Sequence, residues 1–306
     1  ELPTYAFQRQ RYWLEAPTAL LDAAGLGMER TDHGLLGAAT SLPDGGQLFV
    51  GRMSLREQPW LRDHGVFQHV VVPGTALIEL ALEAGQRLGA MELEHLAFTR
   101  ALVLVPGETR RLQLQVDRAS DNGQRPLRIY TRPAEADSED GWVEHAAGAL
   151  RPATGESQAL LPGSWPPDGA QEIALAGLYE DLEQVGYQYG PCFRGLQRAY
   201  RDAEQLYGEV VLAPALKAQE YGLHPALLDV ALHTLLVGGA GRQGVIMPFE
   251  WEGGKLHCRG ASRVRVVARL EKESDSSWAA QVKLYTQEGK PVLEVERLRE
   301  RSATIE

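Results

Sequence analysis

Cysteine is almost missing from this chain: Cys192 and Cys258 stand alone among 306 residues. Isolated cysteines build neither a CxxC pair nor a thiolate cluster for zinc, so disulfide-stapled and metal-finger classes are excluded and a reducing, cytoplasmic setting is expected. No apolar run reaches transmembrane length and no secretory leader is visible, so no membrane partner is expected. Positive charge is in deficit, with 31 Lys and Arg against 41 Asp and Glu and a net charge of −10. That balance argues against free nucleic acid or an anionic membrane as partner. Also absent are the GxxxxGK[ST] phosphate loop and the GxSxG nucleophile elbow. His64 and His69 are five apart and lack the Glu of the zinc motif HExxH, so no metal site is expected from them. The chain begins at Glu1 without Met, which reads as a segment of a longer polypeptide.

What is present gathers around residues 61–80, LRDHGVFQHVVVPGTALIEL. His64 follows Arg62 and Asp63 in a polar turn, and Val70, Val71 and Val72 form an extended apolar run. Pro73 and Gly74 break that run and open a helix, because proline cannot continue a ladder and glycine permits a sharp turn. A helix is predicted over 75–88, apolar on nearly every side except Glu79 and Glu83, and a helix of that kind belongs in a core. A second such helix begins at His224, HPALLDVALHTLL. Pro225 suits its first turn. Asp229 and His233 lie at i and i+4 and share one face. A carboxylate on a buried helix is costly unless paired or neutral, and full burial raises a carboxyl pKa by up to ~3–5 units. A protonated acid is what a leaving hydroxyl requires. The competing reading is a pair that only staples its helix.

Strand periodicity surrounds both helices. Leu112, Leu114 and Val116 alternate with Gln113 and Gln115, the period of a half-buried strand. Strands are also predicted within 33–55 around a turn at 41–46, at 95–105, 127–131 and 142–150, with an acidic loop at 134–141. Residues 152–171, PATGESQALLPGSWPPDGAQ, lack periodicity and read as a linker. A short helix is predicted over 173–185. Val264, Val266 and Ala268 then alternate with Arg265, Val267 and Arg269, and a hairpin joins 281–286 to 292–298. The plan of the first half repeats in the second, and patterning alone supports α+β with antiparallel sheets. His69 reads as strand surface, and His95, His145 and His257 as structural.

Residues 186–196, GYQYGPCFRGL, complete a set of motifs that resembles the dehydratase domains of modular polyketide synthases. That family's GYxYGPxFxGL is matched at every fixed position. Its His, three residues, Gly, four residues, Pro signature is met by His64 and Pro73, with Gln68 in place of the Gly. Its Asp followed four residues later by Gln or His is met by Asp229 and His233. Residues 247–251, MPFEW, resemble its LPFxW segment, and residues 1–16 resemble its post-acyltransferase linker.

The resemblance implies a double hotdog, two antiparallel sheets each wrapped around a central helix, with halves at 17–151 and 173–306 and an inter-hotdog linker at 152–172. It implies loss of water from a 3-hydroxyacyl thioester carried on the phosphopantetheine arm of an acyl carrier protein. His64 would remove the α proton and Asp229 would protonate the departing hydroxyl, oriented by Tyr189 and His233. An amide near Gly190, or one past Pro73 at the helix start, would polarise the thioester carbonyl. Gln68, Val72, Gly74, Phe193, Pro248 and Phe249 would line the substrate tunnel, with ordinary backbone angles expected at Gln68. The implied partners are the carrier protein, other domains of the same synthase and a second copy; no metal or diffusible cofactor is implied. Two alternatives stay open: a dehydratase that also closes an oxygen ring or shifts the double bond, and a degenerate dimerising scaffold.

Overall fold

The computed structural model describes residues 23–89, 91–136, 141–155, 160–161, 163–238 and 244–303. The expected linker at 1–16 lies outside them. The first half contains β1 (Glu29–Arg30), β2 (Leu36–Ser41), β3 (Gln47–Ser54), β4 (His64–Val66), β5 (His69–Val71), α1 (Gly74–Arg87), β6 (Glu92–Phe98), β7 (Val103–Leu104), β8 (Thr109–Val116), β9 (Arg125–Pro133) and β10 (Val143–Arg151). The second contains β11 (Gln171–Ile173), α2 (Leu178–Val185), β12 (Tyr187–Tyr189), β13 (Leu196–Arg201), β14 (Leu206–Val211), α3 (Pro225–Gly238), β15 (Ile246–Leu256), β16 (Arg263–Lys272), β17 (Ser277–Tyr285) and β18 (Pro291–Ser302).

Each half is a curled antiparallel sheet around one buried helix, α1 or α3, and the whole is a double hotdog of α+β class. The two sheets are not separate. β6 pairs with β15 through Ala97↔Glu250, Leu96↔Trp251, His95↔Glu252 and Leu93↔Gly254, making one 14-stranded sheet. A small sheet, β12-β4-β5-β7, also crosses between the halves. No helix among the described residues is long and apolar enough to cross a membrane.

The helices behave as their composition dictates. α1 is buried without a break from Thr75 to Gly85. Pro73 is its N-cap, in extended geometry, and Gly89 leaves it at a positive φ of 95°. On α3, Ala226, Leu227, Leu228, Val230 and Ala231 are all buried. Thr75 donates its hydroxyl to the Pro225 carbonyl at 3.1 Å, which ties the starts of the two helices together.

Two local expectations are corrected. The helix predicted over 173–185 starts only at Leu178, because Gly177 takes a left-handed φ of 81°. Ile173 instead ends β11, paired with Ala199 of β13. The strand predicted over 95–105 splits, β6 staying in the large sheet and β7 joining the small one. Within the expected linker, the Trp165 indole donates to Glu209 at 2.8 Å, and the Arg265 guanidinium sits 5.1 Å from the Trp165 ring, so this residue packs on the second sheet.

The two glutamates that interrupt α1 explain how such a helix tolerates charge. Glu79 is fully buried and accepts the amides of Gly222 and Leu223 at 2.7 and 2.9 Å, just before α3. His33 Nδ1 accepts the Leu35 and Leu36 amides, so its proton sits on Nε2 and is donated to Glu79 at 3.1 Å. Burial works to raise the Glu83 pKa, but hydrogen bonds from Arg259 and Arg87, each at 2.7 Å, outweigh it and hold the carboxyl below its ordinary value. His33, Glu79 and Glu83 lie close enough to share a cation, yet protein donors already occupy both carboxylates. Glu79→Ala strands two amides and one imidazole N–H in the core. It is expected to lower stability by about 3–5 kcal/mol, the cost of removing one partner from a buried charged network. Urea unfolding measures this, and a loss below ~1 kcal/mol would show the network to be ornamental.

Candidate active site

His64 opens β4 directly after a 3-10 turn over Pro59–Asp63. In the small sheet it stands opposite Tyr189 of β12, so a strand of the first half and a strand of the second meet at this residue. β4 then folds back on β5 through a two-residue loop, Phe67 and Gln68, with φ of 49° and 65°. Positive φ at both central positions defines a type I′ hairpin. The expectation of ordinary angles at Gln68 is therefore corrected: the tight turn requires the left-handed region, where glycine is at ease and glutamine is not. The hairpin returns the Val71 carbonyl to His64 Nδ1 at 2.7 Å. A carbonyl only accepts, so Nδ1 carries the proton and the Nε2 lone pair is free.

Nε2 faces Asp229. Its distance to Asp229 Oδ2 is 3.8 Å, and His233 Nε2 lies 3.4 Å from the same oxygen. Asp229 Oδ2 and His233 Nε2 are both buried and neither makes a hydrogen bond. Burial lowers the His64 pKa from 6.5, overcoming the opposing pull of Asp229 and of the Val71 carbonyl. The imidazole is thereby kept neutral, the state of a base. The Tyr189 ring packs 4.4 Å from that of His233. Burial, with the Asp229 carboxylate adding to it, pushes the Tyr189 hydroxyl well above its ordinary pKa, so it remains a donor. This arrangement has the parts of an acid–base pair: a desolvated neutral imidazole and a buried carboxyl oxygen that makes no hydrogen bond.

Gly190 has a different role from the one expected. Its N–H donates to the Asp63 carbonyl at 2.8 Å, so that amide is not available to a thioester. A Cβ at Gly190 would lie 2.4 Å from Asp63 Oδ1, which is why glycine stands there. The Asp63 carboxylate also accepts the Cys192 amide at 2.9 Å. Asp63 thus bolts the GYQYGP turn to the residue preceding His64. The amides that remain are those of Gly74 and Thr75, in the first turn of α1, which have no intrahelical acceptor.

A cavity of about 950 Å³ opens beside that helix start, lined by Val71, Val72, Gly74, Leu77, Phe98, Arg100, Pro248 and Phe249 among others. Of the expected tunnel residues, Val72, Gly74, Pro248 and Phe249 line it and two do not. Gln68 is exposed at the hairpin tip, where its N–H donates to Gln188 Oε1 at 2.8 Å. Phe193 is fully buried, 5.1 Å from the His64 ring and 6.0 Å from Trp60, as a wall behind the imidazole. His64 and Asp229 are not in the cavity lining; Val71 links the two places through its carbonyl.

Two contributors were missed from sequence. Asp63 was legible only as an acid adjoining His64. Tyr179, on α2, reaches His233 Nδ1 with its hydroxyl at 3.5 Å, and nothing in a short polar helix marks it. The remaining histidines are structural or superficial: His69 is exposed, His145 bonds Thr131 and the Arg100 carbonyl at 2.9 Å each, and His257 lies 3.7 Å from Glu294.

A family model described as "Polyketide synthase dehydratase domain" matches residues 33–132, and one described as "Polyketide synthase dehydratase N-terminal domain" matches residues 157–306. Mycoketide-CoA synthase of Mycobacterium tuberculosis (strain ATCC 25618 / H37Rv) is 41% identical over 306 residues, covering 99% of this chain and 7% of its own length. The chain thus spans a small fraction of that relative. Among solved structures it is similar to one bearing on dehydratase substrate selection for the borrelidin and fluvirucin polyketide synthases, at 40% identity and a TM-score of 0.84, covering 92% of this chain and 99% of that one. It is also similar to a bifunctional dehydratase-cyclase domain in ambruticin biosynthesis, at 35% identity and a TM-score of 0.82, covering 89% and 96%.

Relief of the hairpin is measurable. Gln68→Gly is expected to stabilise the protein by ~1 kcal/mol, since a left-handed side chain costs roughly that much. Because Gln68 stands outside the cavity, substrate preference should not change. A shift in preference among acyl chains would place residue 68 in contact with substrate after all.

Proposed function

The chain belongs to the dehydratase family of polyketide synthases, and from that premise we propose that it removes water from a 3-hydroxyacyl thioester to give a 2,3-enoyl thioester. The observation that carries the mechanism is the pair of buried atoms, His64 Nε2 and Asp229 Oδ2, 3.8 Å apart. His64 Nε2 takes the α proton, the freed electron pair forms the double bond, and the Cβ–O bond breaks as Asp229 protonates the hydroxyl. Tyr189 and His233 hold the acid and the leaving group in line. The α1 N-terminus, through the Gly74 and Thr75 amides, polarises the thioester carbonyl and stabilises the enolate-like charge that develops there. The substrate is presented on the phosphopantetheine arm of an acyl carrier protein, and the domain works as a homodimer beside other domains of its synthase. The great length of its relative supports the presence of other domains beside it.

Incubation with a panel of 3-hydroxyacyl carrier-protein thioesters, read by loss of one water in mass, tests the activity. A second reading, dehydration followed by ring closure with a distal hydroxyl, is favoured by the likeness to the dehydratase-cyclase domain. Chromatography of the product from a substrate bearing such a hydroxyl separates a ring from an open enoyl chain.

His64→Ala and Asp229→Ala are each expected to lower turnover by ~10²–10⁴-fold, the usual contribution of one acid–base group. Circular dichroism should stay unchanged; either variant turning over near the wild-type rate would end this mechanism. His233→Gln should keep most activity, because an amide N–H replaces the ring donor. A rate as low as that of Asp229→Ala would give His233 a direct chemical part. The base works only when neutral and its pKa lies below 6.5. kcat/KM should therefore hold as pH falls to that value and drop only below it. An acidic limb centred above pH 6.5 would remove His64 as the titrating base.

A further inference from the structure

Asp229 has a neighbour whose own state is undecided by Asp229 alone. His233 approaches it with Nε2, and an imidazole nitrogen is either a donor or an acceptor. A donor there would leave the carboxyl proton on the other oxygen, toward substrate, and would steady the carboxylate after transfer. An acceptor there would set two lone pairs against each other, or draw the acid's proton into the ring and away from the hydroxyl.

We infer that Tyr179 is a positioning residue that selects the Nε2–H tautomer of His233 and so aims an N–H at the Asp229 carboxyl. The geometry is a line of three groups from different elements. Tyr179 of α2 places its hydroxyl 3.5 Å from His233 Nδ1, and His233 Nε2 lies 3.4 Å from Asp229 Oδ2. Burial pushes the Tyr179 phenol up to about 12, so it keeps its proton under all working conditions, and the Leu196 backbone supplies a donor toward its oxygen. A hydroxyl whose oxygen already accepts has its one proton to give, and the nitrogen it meets is Nδ1. With Nδ1 accepting, neutral His233 carries its proton on Nε2.

The ring of Tyr179 is itself held. The Arg194 guanidinium sits 5.3 Å from its centroid, and Arg194 Nε donates to the Tyr189 carbonyl at 2.7 Å. Arg194 thereby fixes the phenol relative to β12, the strand that faces His64. The Tyr179 and His233 rings meet edge to face at 5.8 Å, which leaves the hydroxyl and not the ring face to address Nδ1.

The effect on rate rests on the dehydratase reading; the tautomer does not. Nitrogen NMR of histidine-labelled protein reads the tautomer directly. The expected result is Nε2–H at His233 in the natural protein and loss of that single form in Tyr179→Phe. The second arm is a double-mutant cycle with carrier-borne 3-hydroxyacyl substrate. Tyr179→Phe should lower turnover roughly 3- to 10-fold with His233 present, the size of one hydrogen bond. In the His233→Gln background, whatever its own rate, it should add less than about 2-fold, because an amide N–H has no tautomer to select. Equal losses in both backgrounds, or an unchanged His233 tautomer in Tyr179→Phe, would overturn the inference. Failure of the natural protein to release water would count against the dehydratase reading and leave the NMR result standing.

Discussion

The three-residue antiparallel pairing of β4 with β12 is the constraint from which the site follows. His64 and Asp229 come from opposite halves, and this ladder fixes where one half stands against the other: Val66 opposite Tyr187, Gly65 opposite Gln188, His64 opposite Tyr189. The seam is tight enough to exclude side chains. A Cβ at Gly65 would lie 2.7 Å from the Gln188 Cβ, and one at Gly190 would meet Asp63. Two glycines, one in each half, let the backbones close on each other, and the bond from the Gly190 amide to Asp63 extends the ladder by one residue. With the strands locked, the Val71 carbonyl can set the proton of His64 and α3 can bring Asp229 within reach.

Buried charge separates structure from chemistry in this protein. Glu79 and Glu83 sit deep in the first helix with amides, an imidazole and two guanidiniums around them. Their desolvation is offset bond by bond. Asp229 sits on the corresponding helix of the second half, and its Oδ2 has no such partner. Carboxylates on the two corresponding buried helices thus have opposite fates. One kind is consumed in holding the halves together, and the other keeps an oxygen without a hydrogen bond between His64 and His233.

Much of this was legible in the sequence where a rule is local. The buried helices came from their lack of a polar face, the strand at Thr109–Val116 from its period of two, and the pairing of Asp229 with His233 from their spacing. Rules that depend on distant partners were not legible. Nothing in residues 92–98 or 246–256 says that these strands join each other and fuse two sheets. The φ at Gln68 was misjudged because the turn type depends on the register between β4 and β5, not on the residue. Of the two amides expected for a thioester carbonyl, the one at Gly190 is occupied by Asp63, an acceptor remote in sequence that no local rule announces. Tyr179 was invisible for the same reason, since only the fold carries α2 to the back of α3.

The fused sheet also has a mechanical meaning. Hinge closure around a ligand requires two bodies joined by a few yielding residues. Here the ladder between β6 and β15 runs through Ala97, Leu96, His95 and Leu93, at the centre of a continuous 14-stranded sheet. Swinging one half against the other would break that ladder and tear the paired strands beneath it. The halves therefore move as one stiff plate. The distance between His64 and Asp229 is a built dimension, set at folding, so whatever binds there must conform to the gap.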